Sequence, residues 1–335
     1  MRRLITFLVF AALAGGGWLY WALWMPVTPN GQQFVVLPSG SSTRRIAAEL
    51  QSAGVIRNGD AFILWHRLHH QRTLKAGEYL FEQPANALAI HDRLARGDVY
   101  FHAVVVPEGF DMFDIAKAVQ DAGLGSSQDF LQVAMSDTAL ISDFAPQAKS
   151  LEGYLFPSTY EFTRAESMTE IAAAMVKQFR QVAREIGLLP GQGPATEDTQ
   201  RVVTLASIIE KETAAPEERP DVASVYYNRL EKKMPLQADP SVIYAELLQG
   251  NYTGALHHTD MKFDSAYNTY VHAGLPPGPI ANPGKSSLEA ALHPAATEYY
   301  YFVSNGNGHH KFARDLEEHN RNVAAYRRAA NGHRP

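Results

Sequence analysis

The segment 205–214 reads LASIIEKETA and places a carboxylate at the end of an otherwise apolar run. Val203, Ala206 and Glu210 recur at i, i+3 and i+7, so on a helix they share one face. Val202, Leu205 and Ile209 fill the adjoining stripe, while Lys211 and Glu212 point elsewhere. A carboxylate at the edge of a buried face loses solvation, which favours its protonated form. Such a group can donate a proton and take one back, which is general acid and then general base work. Equally, Glu210 can be the buried partner of Arg201, Arg219 or Arg229, and spacing alone leaves both readings open.

Other polar groups cluster further along. VYYNRLEKKMPLQADPSVIYAEL (225–247) reads as a helix, a turn marked by proline, and a second helix opening at Asp239-Pro240. Asp suits the N-cap there and Pro the first turn. Gln237 and Asp239 fall in that turn. SAYNTYVHAGLPPGPIANPG (265–284) is a long loop carrying Asn268 and Tyr270. Amides and aromatic faces hold sugar rings well, but Pro and Gly also punctuate purely structural turns. Among thirteen histidines, His257-His258 and His309-His310 are adjacent pairs. Neighbours in sequence point different ways, and H-E-x-x-H is absent, so no metal is expected. G-x-S-x-G and G-x-x-x-x-G-K-[ST] are absent as well, so neither a nucleophile elbow nor a phosphate loop is present. No cofactor is expected.

Periodicity and punctuation supply the frame. Helices are predicted at 167–187, 198–213, 221–233, 286–293 and 315–329, the last with acids in its first turn and arginines in its last. Upstream lies an internal repeat: VVLPSGSSTRRIAAELQSAGV (35–55) aligns without gaps to VVVPEGFDMFDIAKAVQDAGL (104–124). Each copy reads as a strand, a Pro-x-Gly turn and a helix ending at glycine. A second helix follows in each, then a closing strand, GEYLF (77–81) and GYLF (153–156). The β-α-α-β order is similar to the LysM fold, which implies binding to N-acetylglucosamine polymers. A duplicated packing module without a ligand has the same order.

At the N-terminus Arg2-Arg3 precede 21 uncharged residues, Leu4–Trp24, ending in Trp18, Tyr20, Trp21 and Trp24. That is the length of a bilayer span with an interfacial aromatic belt. The arginines predict a cytoplasmic N-terminus and an external body. A cleaved signal peptide is the rival, but its apolar region is shorter and no small-x-small site precedes the bulky residues. Pro26–Gln32 reads as a linker.

The chain has 335 residues, a net charge of −5 and no cysteine. Disulfides, thiolate metal sites and a Cys nucleophile are excluded. The charge argues against a nucleic-acid partner. The expected class is α+β: a transmembrane anchor (1–25), a LysM-like unit (33–101), a second related β-α-α-β unit (102–162), and a mainly helical catalytic domain with small β elements (163–335).

LEGYLFPSTYEF (151–162), LASIIEKET (205–213), RPDVASVYYNRL (219–230), LQADPSVIYA (236–245), YNTYVHAGLPPGPIANPG (267–284) and YYFVSNGNGHHKFARDLEEHN (300–320) resemble the endolytic murein transglycosylases, the MltG/YceG-like family. The resemblance runs over nearly the whole chain. It implies a peptidoglycan lyase of the inner (cytoplasmic) membrane, single-pass, with a periplasmic body. Its action would be non-hydrolytic cleavage of the MurNAc-β-1,4-GlcNAc bond, leaving 1,6-anhydro ends and terminating nascent strands. It also implies glycan strands as substrate and association with the glycan-synthesis machinery, penicillin-binding proteins among it. Carried onto the I-I-E-K-E-T stretch, it makes Glu210 the expected catalytic residue. Gln237, Asn268 and Tyr270 are the expected glycan-holding residues, from polarity and motif position. The competing reading is a membrane-tethered glycan-binding scaffold without catalysis, and a third, a histidine metallohydrolase, would require metal.

Overall fold

The computed structural model describes residues 2–69, 73–189 and 199–332. The chain forms two compact units, one of Met1–Ala103 with Ala122–Leu124 and Glu161–Ser167, the other of Val104–Asp121, Gly125–Tyr160 and Met168–Pro335.

The first unit begins with α1 (Arg2–Leu23), whose apolar side chains are exposed along most of its length. It is the one described helix long and apolar enough to cross a membrane. Next come β1 (Gln33–Leu37), α2 (Thr43–Ser52), α3 (Gly59–Leu68), β2 (Gly77–Phe81) and α4 (Ala87–Arg96). β1 and β2 pair antiparallel, Gln33 opposite Phe81 and Leu37 opposite Gly77. Caps set the helix starts: the Ser42 side chain accepts from Arg45 N–H and Asn58 from Ala61 N–H. One core joins Val35, Leu37, Leu50, Phe62, Tyr79 and Leu94, and it includes Ala22 and Leu23 from the last turn of α1. The stretch expected to be a linker is therefore tied down. Val27 bridges to Ala85 through two backbone hydrogen bonds of 2.8 and 3.1 Å, and Arg57 donates to the Pro26 carbonyl.

The repeat continues with β3 (His102–Val106), α5 (Met112–Asp121) and α6 (Ser127–Ser136). The bounds of β3 and α5 lie 69 positions after those of β1 and α2, the same offset as the sequence alignment. The closing strand differs from expectation. β4 is Ser158–Phe162 and pairs with β3, whereas GYLF at 153–156 is turn and loop. The physical reason lies in the burial pattern. Residues 151–157 are continuously buried, while Ser158–Phe162 alternates as a half-exposed strand must. Gly153 has φ +88 and abuts Pro279 and Val203, so only glycine fits.

The second unit continues with α7 (Met168–Glu185), α8 (Thr199–Glu212), α9 (Arg219–Glu231), α10 (Asp239–Gln249), α11 (Lys285–Leu292), the antiparallel hairpin of β5 (Tyr301–Ser304) and β6 (His310–Ala313), and α12 (Leu316–Gly332). These meet the predicted helices to within a few residues; position 198 lies outside the described residues. α8 is the central element: every residue from Val202 to Ile209 is buried, with α9, α10 and α11 against it. At α10 the expected N-cap is corrected. Ala238 is the cap, without a side-chain bond, and Asp239 is the first helical residue, followed by Pro240.

Candidate active site

Because α8 is buried on all sides, its two glutamates leave the helix end in different directions. Glu210 turns into protein. One carboxylate oxygen accepts from Arg219 Nη2 at 2.9 Å and the other from Gly284 N–H at 2.9 Å. Its side chain is 5% exposed and that of Arg219 is 6% exposed. A Cβ at Gly284 would meet the Glu108 carboxylate, so glycine there lets Glu108 lie beside it. Glu108 also faces Arg219, at 3.7 Å, and burial together with the Glu210 charge raises its pKa. A guanidinium and an amide N–H thus hold the two carboxylate oxygens of Glu210 from different sides. Of the three arginines named from sequence, Arg219 is the one that pairs with Glu210.

Glu212, the last residue of α8, faces a cavity of about 290 Å³. Its walls are Glu212, Tyr226, Arg229, Leu236, Gln237, Asp239, Tyr270, Phe302 and His319. Tyr226 and Arg229 sit at i and i+3 on α9 and so present to the same side. Burial pushes the Glu212 carboxyl up to about 7, against the opposing pull of the Tyr226 hydroxyl bond and with a further push from the Asp239 charge. Arg229 is held by carbonyls, its Nε donating to Tyr300 O at 2.7 Å and its Nη1 to Leu236 O at 2.9 Å. Burial and Arg229 together lower the pKa of His319, which favours the neutral imidazole.

The loop between α9 and α10 shapes the opposite side. Gln237 has φ +54, a left-handed conformation that a non-glycine residue adopts at a cost, and its N–H donates to Thr269 O at 3.1 Å. Thr269 Oγ1 in turn accepts from Ala238 N–H at 2.9 Å. Tyr270 donates its hydroxyl to Asp239 at 2.5 Å. The turn at 236–239 and Tyr270 of the 265–284 loop, which sequence reading took separately, therefore meet in one wall.

Comparison with known proteins agrees with this architecture. The YceG-like family model matches residues 35–325. The chain belongs to the YceG-like family. Similar relatives include the endolytic murein transglycosylase of Bacillus subtilis, 36% identical, with 94% of this chain and 91% of that protein covered. The endolytic murein transglycosylase of Streptococcus pneumoniae is 30% identical over 96% of this chain, which spans 64% of that longer relative. The crystal structure of a putative YceG-like protein from Listeria monocytogenes has a TM-score of 0.58 and 34% identity. It covers 87% of this chain and 98% of its own.

Of the four residues expected from sequence, the structure brings Gln237 and Tyr270 to one cavity and places Glu210 and Asn268 outside it. Asn268 is fully buried and donates through Nδ2 to the carbonyls of Asp260, Met261 and Phe263, at 3.4, 3.2 and 2.7 Å. Its Oδ1 accepts from Tyr270 N–H at 2.9 Å. It is a loop fastener with no group left to offer a sugar. Sequence reasoning did not mark Glu212, Tyr226 or His319, which line the same cavity. The i, i+3 pair Tyr226 and Arg229 opposite a turn rich in polar residues was the available signal.

Proposed function

We propose that the chain is an endolytic murein transglycosylase and that Glu212 is its proton donor and acceptor. The observation that carries this is the position of Glu212: a carboxyl raised to about 7 in a polar cavity, beside a glutamate already committed to an ion pair. The names of the relatives support the reaction class. In the β-1,4 bond between N-acetylmuramic acid and N-acetylglucosamine, protonated Glu212 gives its proton to the bridging oxygen as the C1–O bond breaks. The C6 hydroxyl of the same muramic residue then closes on C1, and the Glu212 carboxylate accepts the hydroxyl proton. The bond broken and the bond formed balance without water. The products are a free 4-hydroxyl and a 1,6-anhydro end. Because the nucleophile belongs to the substrate, its effective concentration is high, and no second carboxylate is needed to activate water.

Tyr226 orients the carboxylate by hydrogen bonding to it. Gln237, Tyr270 and the neutral His319 supply donors, acceptors and an aromatic face for the flanking sugars. Glu210 and Arg219 hold the end of α8 and the turn at Gly284. The β-α-α-β unit with β1 antiparallel to β2 supports a LysM-like, glycan-gathering role for residues 33–101, with 102–162 a related unit. α1 is read as a single-pass anchor of the cytoplasmic membrane with the body outside, and penicillin-binding proteins as neighbours in strand synthesis.

Mass spectrometry of glycan strands incubated with the protein tests the reaction. Anhydro ends, lighter than reducing ends by one water, are expected. Hydrated ends would make it a hydrolase, and intact strands would favour a binding scaffold.

A further inference from the structure

α3 carries an outward row that its own unit does not use. Leu64 is 43% exposed and Leu68 is 69% exposed, one turn apart, while Ala61 and Phe62 of the same helix are buried in the core. This row faces the end of α1. Leu64, Trp65 and Leu68 together with Gly16, Leu19 and Tyr20 line an apolar cavity of about 440 Å³. Gly16 leaves open space beside the helix axis. Trp65 packs edge-on to Trp24, with ring centroids 5.6 Å apart.

The height of this cavity follows from helix geometry. An α-helix rises about 1.5 Å per residue, so Leu4 to Leu23 spans roughly 30 Å, the thickness of a bilayer's hydrocarbon core. The cavity's α1 lining runs from Gly16, roughly 18 Å from the Leu4 end, to Trp24, roughly 30 Å from it, so it spans from inside that slab to its outer edge. The first unit cannot slide outward to lift α3 clear. Ala22 and Leu23 are part of its core, and the Val27–Ala85 bridge follows at once. Whatever depth the last two turns of α1 occupy, α3 occupies too.

We propose that α3 is a second membrane-contacting element: Leu64 and Leu68 dip into the outer leaflet, and a lipid acyl chain fills the cavity between α3 and α1. This rests on the reading of α1 as a membrane span. The occupant is lipid and not a protein because the row shares its cavity with α1, whose apolar side chains Leu13, Trp18, Tyr20 and Trp21 are exposed at the same end of the helix. Arg57, with its guanidinium 5.0 Å over Trp21, marks the headgroup level.

The chain has no cysteine, so single nitroxide labels need no background removal. The full chain carrying Leu64→Cys, Leu68→Cys, Phe10→Cys or Glu49→Cys would be placed in phosphatidylcholine–phosphatidylglycerol vesicles. Collision with oxygen, which partitions into lipid, would be compared with collision with a water-soluble nickel chelate. Labels at 64 and 68 are expected to match position 10, oxygen-accessible and nickel-shielded, with position 49 the reverse. Nickel access at 64 and 68 equal to that at 49, with position 10 in lipid, would overturn the proposal and leave the anchor standing. Nickel access at position 10 as well would overturn the anchor and this proposal with it. Shielding of 64 and 68 from both reagents would mean that protein covers the row, and would also overturn it.

Discussion

The hydroxyl of Tyr226 donates to the carboxylate of Glu212, and both are walls of the same polar cavity. Two residues back along α8, Glu210 is bonded to Arg219 and Gly284 instead. One helix end thus carries a glutamate that lines a cavity and a glutamate held in an ion pair, and substitution tests the roles proposed for them.

Glu212→Gln keeps the size and loses the proton. Turnover of glycan strands should fall by about 10²–10⁴-fold, the usual cost of losing a general acid, while the protein melts cooperatively. Glu210→Ala should do the opposite. It leaves the buried Arg219 with only the longer contact to Glu108, at 3.7 Å, against a cost of up to about 3–5 kcal/mol for a fully unpaired buried charge. The expected result is a large fall in melting temperature with substantial turnover surviving in the cold, where the protein stays folded. Turnover and melting curves on both variants decide. Near-normal turnover in Glu212→Gln would refute its role.

The pH dependence follows from the same pair. Glu212 must be protonated to act, so kcat/KM should decline as pH rises through about 7. Donation from Tyr226 stabilises the carboxylate, so Tyr226→Phe should move this decline to higher pH. Stability follows the same proton. Folding raises the group from 4.5 to about 7, so the folded state binds the proton more tightly. The stabilisation is full below pH 4.5 and is lost as pH rises through about 7. Glu212→Gln should therefore melt higher than the native protein at pH 8 and lose that advantage at pH 4. A pH series of melting curves checks the sign.

How much of this was legible in sequence divides by the range of the signal. α8, α9 and α10 showed in periodicity and punctuation, and the repeat showed as an ungapped alignment, because each is a local pattern. The strand at Ser158–Phe162 was missed because the neighbouring GYLF is more apolar, yet that run is buried core and not half-exposed sheet. The surroundings of Glu210 and Glu212 were not a local signal at all. A helical wheel identifies the face of Glu210 but not what stands opposite. Arg219 is nine residues on and Gly284 is seventy-four residues on, and they turn that face into an ion-pair site. The same wheel sends Glu212 elsewhere, and only the docking of α9 and of the 236–239 and 268–270 segments shows that elsewhere is the cavity.

Asn268 separates fastening from contact. Asn268→Ala removes an amide whose two N–H groups are shared among three carbonyls and whose oxygen accepts from Tyr270 N–H, with net stabilisation of about 1 kcal/mol expected per hydrogen bond. It should lower stability and loosen Tyr270. Tyr270→Phe loses only the bond to Asp239. It should leave the melting temperature nearly unchanged and alter KM or kcat. Equal melting losses in the two variants would remove the distinction.

Gln237 tests whether backbone strain serves the site. Its φ of +54 in a non-glycine residue costs roughly 1–2 kcal/mol, and its amide lines the cavity, with Oε1 3.4 Å from Arg229 Nη1. Gln237→Gly removes the strain and keeps the N–H that donates to Thr269 O. Part of the gain is offset by the larger entropy of glycine in the unfolded chain. The melting temperature should therefore hold or rise slightly. kcat/KM should fall, because the amide that meets the glycan is gone while the turn that presents it remains. Gln237→Ala keeps the strain and also lacks the amide, so it should lose the same activity and melt below the glycine variant. If Gln237→Gly retained full kcat/KM, the left-handed turn would be a feature of the loop alone, and the side chain would have no part in holding substrate.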